Sequence, residues 1–415
     1  MEMKRIAVIG AGVSGLTTAR ILSEENRNRV VVYEKENTPG GLIRCMQVDG
    51  SLFHICGGHV FNSKRKDVLE WFWSHFNKQT EFVNANRNSA VFMQDGLVIP
   101  YPIENHVYYF NQHIRDCFER DLQRMEEQGQ PMGNNFEEFL KLRFGETLYN
   151  LYFGPYNRKV WQCDLRTVPL SWLDGKLPMP SVEEMRYNNA NKIEEKSFVH
   201  SSFYYEKRGG SQFLANRLAE GLDIRYNSPV NAIACKDGKV YMNGEEYDML
   251  VFCGNIKHLV SILSGVDVES YKQPVSLLQA HGTTAVFCEI DANPYTWIYQ
   301  PSEEHRSHRI ICTGNFSPSN NRKGKMTGTV EFTDKISVED IKTDLDKMPL
   351  HPKYLTHYYS PYTYPVQDMH TRQLIHSLKD TLSQANIYFT GRFADWEYYN
   401  MDVAMGAAID LCKQL

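Results

Sequence analysis

The feature that most constrains this chain is a glycine-rich turn near its beginning. The apolar residues 6–9 lead into Gly10, Gly12 and Gly15, and a helical pattern of apolar residues follows directly. Strand, glycine turn and helix in this order predict a nucleotide-binding unit of a doubly wound α/β fold. In such a unit Gly10 makes the tight turn, Gly12 lets the backbone approach a pyrophosphate, and Gly15 lets the helix pack closely on the strand. The positive end of the helix then faces the phosphates.

An acidic residue and a second pair of glycines extend this signal. The apolar strand at residues 29–34 ends in Glu34, where a carboxylate can accept hydrogen bonds from ribose hydroxyls. Gly40 and Gly41 follow a few residues later. This pattern resembles the FAD-binding Rossmann family that includes amine oxidases, protoporphyrinogen oxidases and UDP-galactopyranose mutases. The resemblance implies noncovalently bound FAD rather than NAD.

Composition and charge exclude several other classes of protein. The 415 residues carry a net charge of −5, and basic clusters such as residues 63–66 are short, so nothing predicts binding to nucleic acid or an anionic membrane. We find no signal peptide and no apolar run long enough to span a bilayer, and we expect a cytoplasmic protein without stable membrane insertion. The nine cysteines are dispersed and show no metal-site spacing, so we expect reduced thiols and no metal.

The rest of the chain divides into stretches of different character. Glycine turns and apolar strands return to the nucleotide-binding pattern after residue 205 and again near the end. Between them lie one stretch with helical spacing and one with strand-like alternation. We therefore predict an α/β protein: a discontinuous Rossmann-like (GR2-type) FAD-binding domain at 1–75, 205–265 and 355–415, a mainly helical substrate insert at 76–204, and an antiparallel β-sheet substrate domain at 266–354.

Three sequence blocks narrow the resemblance to the UDP-galactopyranose mutases. The first, FHICGGHVF at residues 53–61, resembles the mutases' FHKYGPHIFH segment, in which a histidine loop lies against the flavin. The match implies that His59 lies beside the flavin and that Gly57 and Gly58 give the backbone room to approach it. His54 also matches. An ordinary half-buried histidine is the alternative for His59.

The second block resembles the mutases' Tyr-x-x-x-x-Trp segment. It implies that Tyr156 stacks on the uracil and that Trp161 lies beside the sugar. A rigid tyrosine ring suits nucleobase stacking. Both rings could instead be ordinary core residues between helices.

The third block, GRFADWEYYNM at residues 391–401, resembles the mutases' Gly-Arg-x-Ala-x-Tyr-x-Tyr-Tyr-Asp-Met run. It implies that Arg392 lies near flavin and sugar and that Tyr398 binds the diphosphate. Tyr364, in YTYPV, matches another diphosphate tyrosine. The helix after Asn400 would aim its positive end at the flavin pyrimidine. A surface ion pair for Arg392 and simple packing for Tyr364 are the alternatives.

The chain departs from the mutase pattern at two positions. Lys176 stands where the mutases have a mobile-loop arginine. The point charge of an ammonium group thus replaces a planar guanidinium, which can bind phosphate through two hydrogen bonds. Trp297 stands where the pattern PYTRI has a second arginine. Arg309 could reach the same anion, or it could lie on a solvated edge. These changes put the identity of the substrate in doubt more than the fold.

The resemblance implies an enzyme that isomerises a nucleotide sugar, with a UDP-sugar expected, between its pyranose and furanose forms. In such an enzyme, N5 of reduced FAD forms an adduct with the sugar. The resemblance also implies a role in the synthesis of cell-surface polysaccharide such as lipopolysaccharide. An external reductant would be needed, and a homodimer is possible. The implied catalytic residues are His59, Arg392, Lys176 and Trp161. The implied cofactor contacts are Gly10, Gly12, Gly15, Glu34, Lys35, Gly40, Gly41, Gly58, His59, Val230, Gly391, Arg392, Asn400 and Met401. The implied substrate contacts are Tyr156, Trp161, Lys176, Trp297, Arg309, Tyr364 and Tyr398.

Two alternatives remain open from the sequence. A flavin oxidase or dehydrogenase of the amine oxidase or protoporphyrinogen oxidase type would share the fold but transfer hydride to the flavin. A flavin-binding protein without catalytic activity would retain the cofactor loop, and the substitutions at Lys176 and Trp297 favour it. One fold supports many chemistries, so fold alone cannot decide among the three.

Overall fold

The structure is a computed structural model, and it describes residues 3–94, 96–170, 180–193 and 202–415. Its strands, in chain order, are β1 (Lys4–Ile9), β2 (Asn28–Tyr33), β3 (Cys45–Val48), β4 (Ser51–His54), β5 (Phe82–Asn86), β6 (Ser89–Phe92), β7 (Val98–Pro100), β8 (Ser202–Glu206), β9 (Asp223–Arg225), β10 (Ile233–Lys236), β11 (Lys239–Met242), β12 (Glu245–Tyr247), β13 (Met249–Phe252), β14 (Leu263–Ser264), β15 (Gln279–Ile290), β16 (Trp297–Tyr299), β17 (Arg309–Ile311), β18 (Met326–Thr333), β19 (Lys353–Val366) and β20 (Ile387–Phe389).

The α-helices are distributed over the whole described chain, with the longest in its second quarter. They are α1 (Val13–Ser23), α2 (Lys66–His75), α3 (Lys78–Glu81), α4 (Gln112–Gln128), α5 (Phe136–Leu148), α6 (Gly154–Trp161), α7 (Val182–Asn191), α8 (Ser211–Ala219), α9 (Ile256–Ile262), α10 (Glu269–Leu277), α11 (Val338–Leu345), α12 (Thr371–Ser383) and α13 (Met401–Cys412).

A five-stranded parallel sheet forms the nucleotide-binding unit. Its order is β20-β13-β1-β2-β9, so strands from both ends and the middle of the chain lie side by side. Ile9 pairs with Phe252 on one side and with Tyr33 on the other, which brings the carboxyl ends of three strands to one edge. The crevice at that edge is where ligands bind in open α/β sheets.

A seven-stranded mixed sheet forms the second layer, in the order β19-β15-β18-β17-β16-β6-β7. The long strands β15, β18 and β19 pair antiparallel, as the alternating pattern predicts. The sheet is larger than the predicted range 266–354, however. Strands β6 and β7 come from the range predicted to be mainly helical, and the predicted boundary at residue 355 falls inside β19. The place of a strand in a sheet depends on partners that are distant in the sequence, and local periodicity does not reveal those partners.

Helices α4 to α7 and the short helices between them form a third region, which packs on the seven-stranded sheet. Asn111 and Asn135 cap α4 and α5, each accepting a hydrogen bond from a backbone N–H in the first turn of its helix. Buried aromatic residues of these helices share one core with Trp297 and Tyr364 of the sheet. The predicted class is therefore confirmed: a Rossmann-like α/β unit with helices and an antiparallel sheet. Within the described ranges, no helix combines the length and the apolar character that crossing a bilayer requires.

Candidate active site

The glycine turn has the conformation that its sequence predicts. Gly10 has a φ of +100°, and a methyl group added at Gly15 would lie 1.8 Å from the Gly10 carbonyl oxygen. Only glycine fits at these two positions. Gly12 is different: its φ of −77° is ordinary, and an added methyl group would find its nearest neighbour, the Cα atom of Gly41, 4.0 Å away. The open space at Gly12 lies at the N-terminus of α1, where a phosphate would be bound.

Glu34 directly follows β2 and lies beside the glycine turn. Its side chain is buried, and one carboxylate oxygen accepts a hydrogen bond from the Ala11 N–H at 2.7 Å. The other oxygen accepts from the Glu36 N–H at 2.9 Å. Each carboxylate oxygen can accept a second hydrogen bond, so Glu34 retains capacity for ribose hydroxyls.

Gly40 and Gly41 lie at the same edge of the parallel sheet as the glycine turn. The Gly40 N–H donates to the Ala11 carbonyl at 2.7 Å, and Gly12 and Gly40 form an isolated bridge. Gly391, from near the other end of the chain, also lies close to the start of α1. A methyl group added at Gly391 would lie 3.0 Å from the Ser14 hydroxyl oxygen. Three glycine-containing segments therefore meet at the N-terminus of α1.

The remaining predicted cofactor residues differ in exposure. Lys35 has an exposed side chain, 3.9 Å from Glu36, whereas Val230 is buried and its carbonyl accepts a hydrogen bond from His258 at 2.9 Å. Asn400 caps α13 with its backbone and makes no side-chain capping bond, and Met401 is buried in the first turn. Lys35 and Asn400 are therefore exposed, whereas Val230 and Met401 are buried.

His59 is tied to the glycine pair. Its Nε2–H donates to the carbonyl of Leu42, next to Gly41, at 3.0 Å, and its backbone N–H donates to His54 Nδ1 at 3.2 Å. The two imidazole rings stack with centroids 5.6 Å apart. His54 in turn bonds the Tyr205 hydroxyl at 2.8 Å. The predicted histidine loop and the predicted cofactor loop thus form one connected unit.

Both histidines are neutral at physiological pH. Burial lowers the pKa of His59 to about 4, with a further contribution from the positive charge of Arg392. Burial and the neighbouring His59 lower the pKa of His54 to about 3. A neutral His59 can hold a hydrogen bond beside a cofactor without adding charge to the site.

Arg392 organises the segment before α13. Its Nε donates to the Tyr399 carbonyl at 2.9 Å, and its Nη1 donates to the Thr363 carbonyl at 3.0 Å. Its guanidinium lies 4.7 Å from the centre of the Tyr398 ring. Arg392 is therefore a half-buried cation that joins strand β19 to the segment before α13, and it is not the surface ion-pair residue of the alternative interpretation.

Four of the predicted substrate-binding residues lie together, and two of them are the predicted diphosphate tyrosines. The rings of Tyr364 and Tyr398 are parallel within 2°, with centroids 5.5 Å apart. Trp161 meets Tyr364 edge-on at 6.2 Å. Arg309 donates from Nη2 to the Tyr364 hydroxyl at 3.0 Å. This group, Trp161, Arg309, Tyr364 and Tyr398, is called the tyrosine-arginine cluster below.

Glu331 is a site residue that the sequence analysis missed. It is fully buried on β18, pairs with Arg309 Nε, and accepts a hydrogen bond from the Gly57 N–H in the histidine loop. Burial alone would raise the pKa of its carboxyl, but the Arg309 guanidinium and His308 outweigh burial and hold that pKa well below its usual range. Glu331 therefore links the histidine loop to the tyrosine-arginine cluster through an ion pair.

The other predicted substrate residues have different settings. Tyr156 stacks on Tyr152 at 5.5 Å and meets Tyr299 edge-on at 5.5 Å, beside the cluster. Trp297 is buried, and its indole nitrogen would lie 3.1 Å from a methyl group added at Gly58. Its ring therefore packs against the histidine loop. Lys176 lies outside the described residues.

The residues present fit a dinucleotide cofactor. The space beside Gly12, the N-terminus of α1 and the remaining acceptor capacity of Glu34 are the features that pyrophosphate and ribose require. The histidine loop and the segment at Arg392 converge on the same crevice. Gly10, Gly12, Gly41, Gly391 and Glu34 would hold the cofactor.

Comparisons with known proteins agree with this arrangement. Residues 8–76 match the family model of the NAD(P)-binding Rossmann-like domain. The dTDP-fucopyranose mutase of Escherichia coli is 24% identical over 100% of this chain and 98% of its own length. The solved structure of a reduced UDP-galactopyranose mutase superposes with a TM-score of 0.88 and 23% identity, covering 100% of this chain and 94% of that one.

The fold is that of UDP-galactopyranose mutase. A protein from Exiguobacterium proposed to be a protoporphyrinogen oxidase shares the mutase fold with a TM-score of 0.77 and 14% identity, over 100% of this chain and 99% of that one. The predicted resemblance is therefore confirmed. The comparisons support an enzyme of the mutase or oxidoreductase type, and together with the dinucleotide-binding loop they imply FAD.

Proposed function

We propose that this protein isomerises a nucleotide-linked sugar between its pyranose and furanose forms with the help of bound, reduced FAD. The observation that supports this most is the tyrosine-arginine cluster, which contacts the predicted flavin residue Arg392 and is linked through Glu331 to the loop of His59. Two tyrosines with parallel rings and the largely buried guanidinium of Arg309 suit a phosphate group better than an apolar substrate. An amine oxidase, whose substrate is a cation at neutral pH, does not need such an anion site.

Each part of the site has a role in this proposal. FAD, in its reduced state, would supply the nucleophile for the anomeric carbon. Arg309, Tyr364 and Tyr398 bind the diphosphate and so orient the sugar, while Trp161 bounds the sugar on one side. His59, held neutral, positions its loop beside the cofactor. Binding energy from the remote diphosphate then contributes to placing the anomeric carbon.

Tyr156 is the proposed platform for the nucleobase. It lies beside the tyrosine-arginine cluster, with Tyr152 stacked on one side and Tyr299 edge-on at another. The relatives act on a uridine and a thymidine diphosphate sugar, whose pyrimidines differ by one methyl group. We propose a pyrimidine nucleotide sugar, with UDP-linked sugar as the first candidate. A cytoplasmic site in the supply of polysaccharide precursors and an external reductant complete the proposal.

The state of the flavin separates this function from an oxidase. We would mix the oxidised holoprotein, without oxygen, with UDP-galactopyranose, dTDP-fucopyranose and representative amines, and record flavin absorbance and intrinsic protein fluorescence. The proposal predicts that a nucleotide sugar quenches fluorescence while the flavin stays oxidised. Bleaching of the flavin by any of these compounds would instead identify a dehydrogenase or oxidase. No response to either nucleotide sugar would count against the mutase proposal.

An Arg392 variant connects this test to the site. Because Arg392 bonds Tyr399 and Thr363, Arg392→Ala should release the segment before α13, keep bound FAD and lose isomerisation. Unchanged turnover would remove Arg392 from the site. A matched control is Arg372→Ala, which removes an arginine that bonds the same segment at Asp395 and Trp396 but lies outside the predicted site.

A further inference from the structure

One face of the seven-stranded sheet carries a row of polar and aromatic side chains toward the histidine loop. Tyr299 pairs with Arg309, and Arg309 with Glu331, across β16, β17 and β18. Directly opposed residues of antiparallel strands point to the same face. Glu331 and Ile311 contact Gly57 and Gly58 of the histidine loop, so this face is the one that looks toward the candidate site.

Arg87 reaches this row from the loop between β5 and β6. It lies two residues before Ser89, which pairs with Trp297 across β6 and β16. Its Nε donates to Ser89 Oγ at 3.3 Å, and its Nη2 donates to the Tyr299 hydroxyl at 3.1 Å. The guanidinium lies 4.9 Å from the centre of the Trp297 ring. A tryptophan face is the best aromatic partner for a guanidinium.

Two guanidinium groups therefore approach Tyr299 from opposite sides. Arg309 lies directly across the strand pair from Tyr299 and bonds the Tyr364 hydroxyl, while Arg87 bonds the Tyr299 hydroxyl itself. Tyr299 also meets Tyr156, the proposed nucleobase platform, edge-on. Arg87 lies between that platform and Trp297, which supports the histidine loop. A nucleoside diphosphate bound from the platform toward the flavin would pass this point.

We propose that Arg87 binds the diphosphate of the substrate, with Trp297 and Tyr299 holding its guanidinium in place. This inference rests on the proposed function, because it concerns the same site. A guanidinium offers a planar fork that grips phosphate through two hydrogen bonds, and Arg87 and Arg309 together can engage both phosphates. Trp297 thus serves as a platform for a cation carried by the loop between β5 and β6.

The test compares ligands that differ only in the diphosphate. Affinities of the holoprotein for UDP and uridine, and for dTDP and thymidine, would be measured by intrinsic protein fluorescence for wild type, Arg87→Met and Arg87→Lys. We expect Arg87→Met to weaken diphosphate binding by about 10- to 100-fold, the range for a lost hydrogen bond to a charged group, while nucleoside binding is unchanged. Arg87→Lys should recover part of the loss, and the recovered part should shrink at high salt.

The control is Arg322→Met, which removes an arginine paired with Glu289 at the surface and should leave all four affinities unchanged. Equal diphosphate affinities in wild type and Arg87→Met would overturn the assignment, as would parallel losses of nucleoside and diphosphate binding, which indicate a structural role. If the wild-type protein binds neither UDP nor dTDP, the proposed function fails together with this inference. Thermal unfolding of each variant confirms that the protein is folded.

Discussion

Glu331 joins two parts of the candidate site that lie far apart in the sequence. Its carboxylate holds the Gly57 N–H of the histidine loop and the guanidinium of Arg309. Both charged groups are largely removed from water, so each depends on the other for compensation. The position of the histidine loop relative to the tyrosine-arginine cluster therefore depends on one ion pair.

Replacing Glu331 with glutamine tests this dependence. The amide can still accept the hydrogen bond from Gly57, but it leaves the charge of Arg309 without compensation. Breaking one side of a buried ion pair costs about 3–5 kcal/mol, and we expect the free energy of unfolding to fall by about that amount. Urea denaturation measures it. Glu289→Gln breaks surface pairs with Arg322 and Lys325 and should cost about 1 kcal/mol or less. Similar losses in the two variants would contradict the role of Glu331.

The neutral histidines make stability depend on pH. His54 has a pKa near 6.5 in the unfolded chain and about 3 in the folded protein, mainly because it is buried. Below pH 6.5 the unfolded chain therefore binds a proton that the folded protein does not. The contribution of the neutral His54 ring to the free energy of unfolding is therefore fully present above pH 6.5. It is lost progressively as the pH falls toward the folded-state pKa of about 3.

We accordingly expect the free energy of unfolding to fall by about 1 kcal/mol per pH unit below pH 6.5 for this residue. His54→Gln, which can still bond the Tyr205 hydroxyl, should reduce that slope. His376→Gln removes an exposed histidine on α12 and should leave the slope unchanged. Denaturant titrations between pH 5 and pH 7 would measure the slopes, and equal slopes in wild type and His54→Gln would refute the prediction.

Single residues were predictable where a motif fixes their surroundings. His59, Arg392 and Tyr364 were named from blocks of sequence, and the structure brings their segments together. Arg309 was left between two interpretations, and Glu331 was not considered. Glu331 alternates with Val330 and Phe332 on its strand, a pattern that predicts a solvent-facing side chain. Its burial involves the histidine loop, more than 250 residues away, together with Arg309 and His308.

At the scale of elements, strand β1, the glycine turn and α1 form a unit whose glycines have distinct purposes. Gly15 is required for packing, since a methyl group there would overlap the Gly10 carbonyl at 1.8 Å. Gly12 has room for a methyl group and an ordinary φ. The fold does not require glycine at Gly12, so a bound pyrophosphate is the reason we assign to it.

The two glycines should respond differently to the same substitution. We expect Gly12→Ala to fold with near wild-type stability but to purify without flavin absorbance, because the methyl group occupies the space for the pyrophosphate. Gly15→Ala should destabilise the protein itself, by several kcal/mol or enough to prevent folding. Absorbance spectra and thermal unfolding of the cofactor-free proteins would check both. Retention of flavin by Gly12→Ala would contradict the assigned binding mode.

Elements were predictable where their pattern is local. The helices of the second quarter and the strands β1, β2 and β13 follow from apolar periodicity and caps. Strands β6, β7 and β19 were assigned to other regions, because β19 joins the sheet by pairing with β15, and β6 and β7 join it through the pairing of β6 with β16. Their sequences are too short, or too close to a motif of another unit, to reveal a distant partner.

At the scale of the whole molecule, the candidate site lies where three regions meet. The parallel sheet contributes the glycine crevice, the seven-stranded sheet contributes Arg309 and Glu331, and the helical region contributes Tyr156 and Trp161. The helices and the seven-stranded sheet share one buried core, so their side of the site is held as a unit. Such a junction can hold a cofactor in one region and a substrate in the other two.

The central claim is an isomerisation without net oxidation that needs reduced flavin. The most direct measurement is to incubate the holoprotein without oxygen with UDP-galactopyranose, and in parallel with dTDP-fucopyranose, before and after reduction by dithionite, and to separate the products by chromatography. The account predicts that a furanose isomer forms only after reduction and that the flavin is still reduced at the end. No isomer from either sugar, with the flavin bound and reduced, would contradict it.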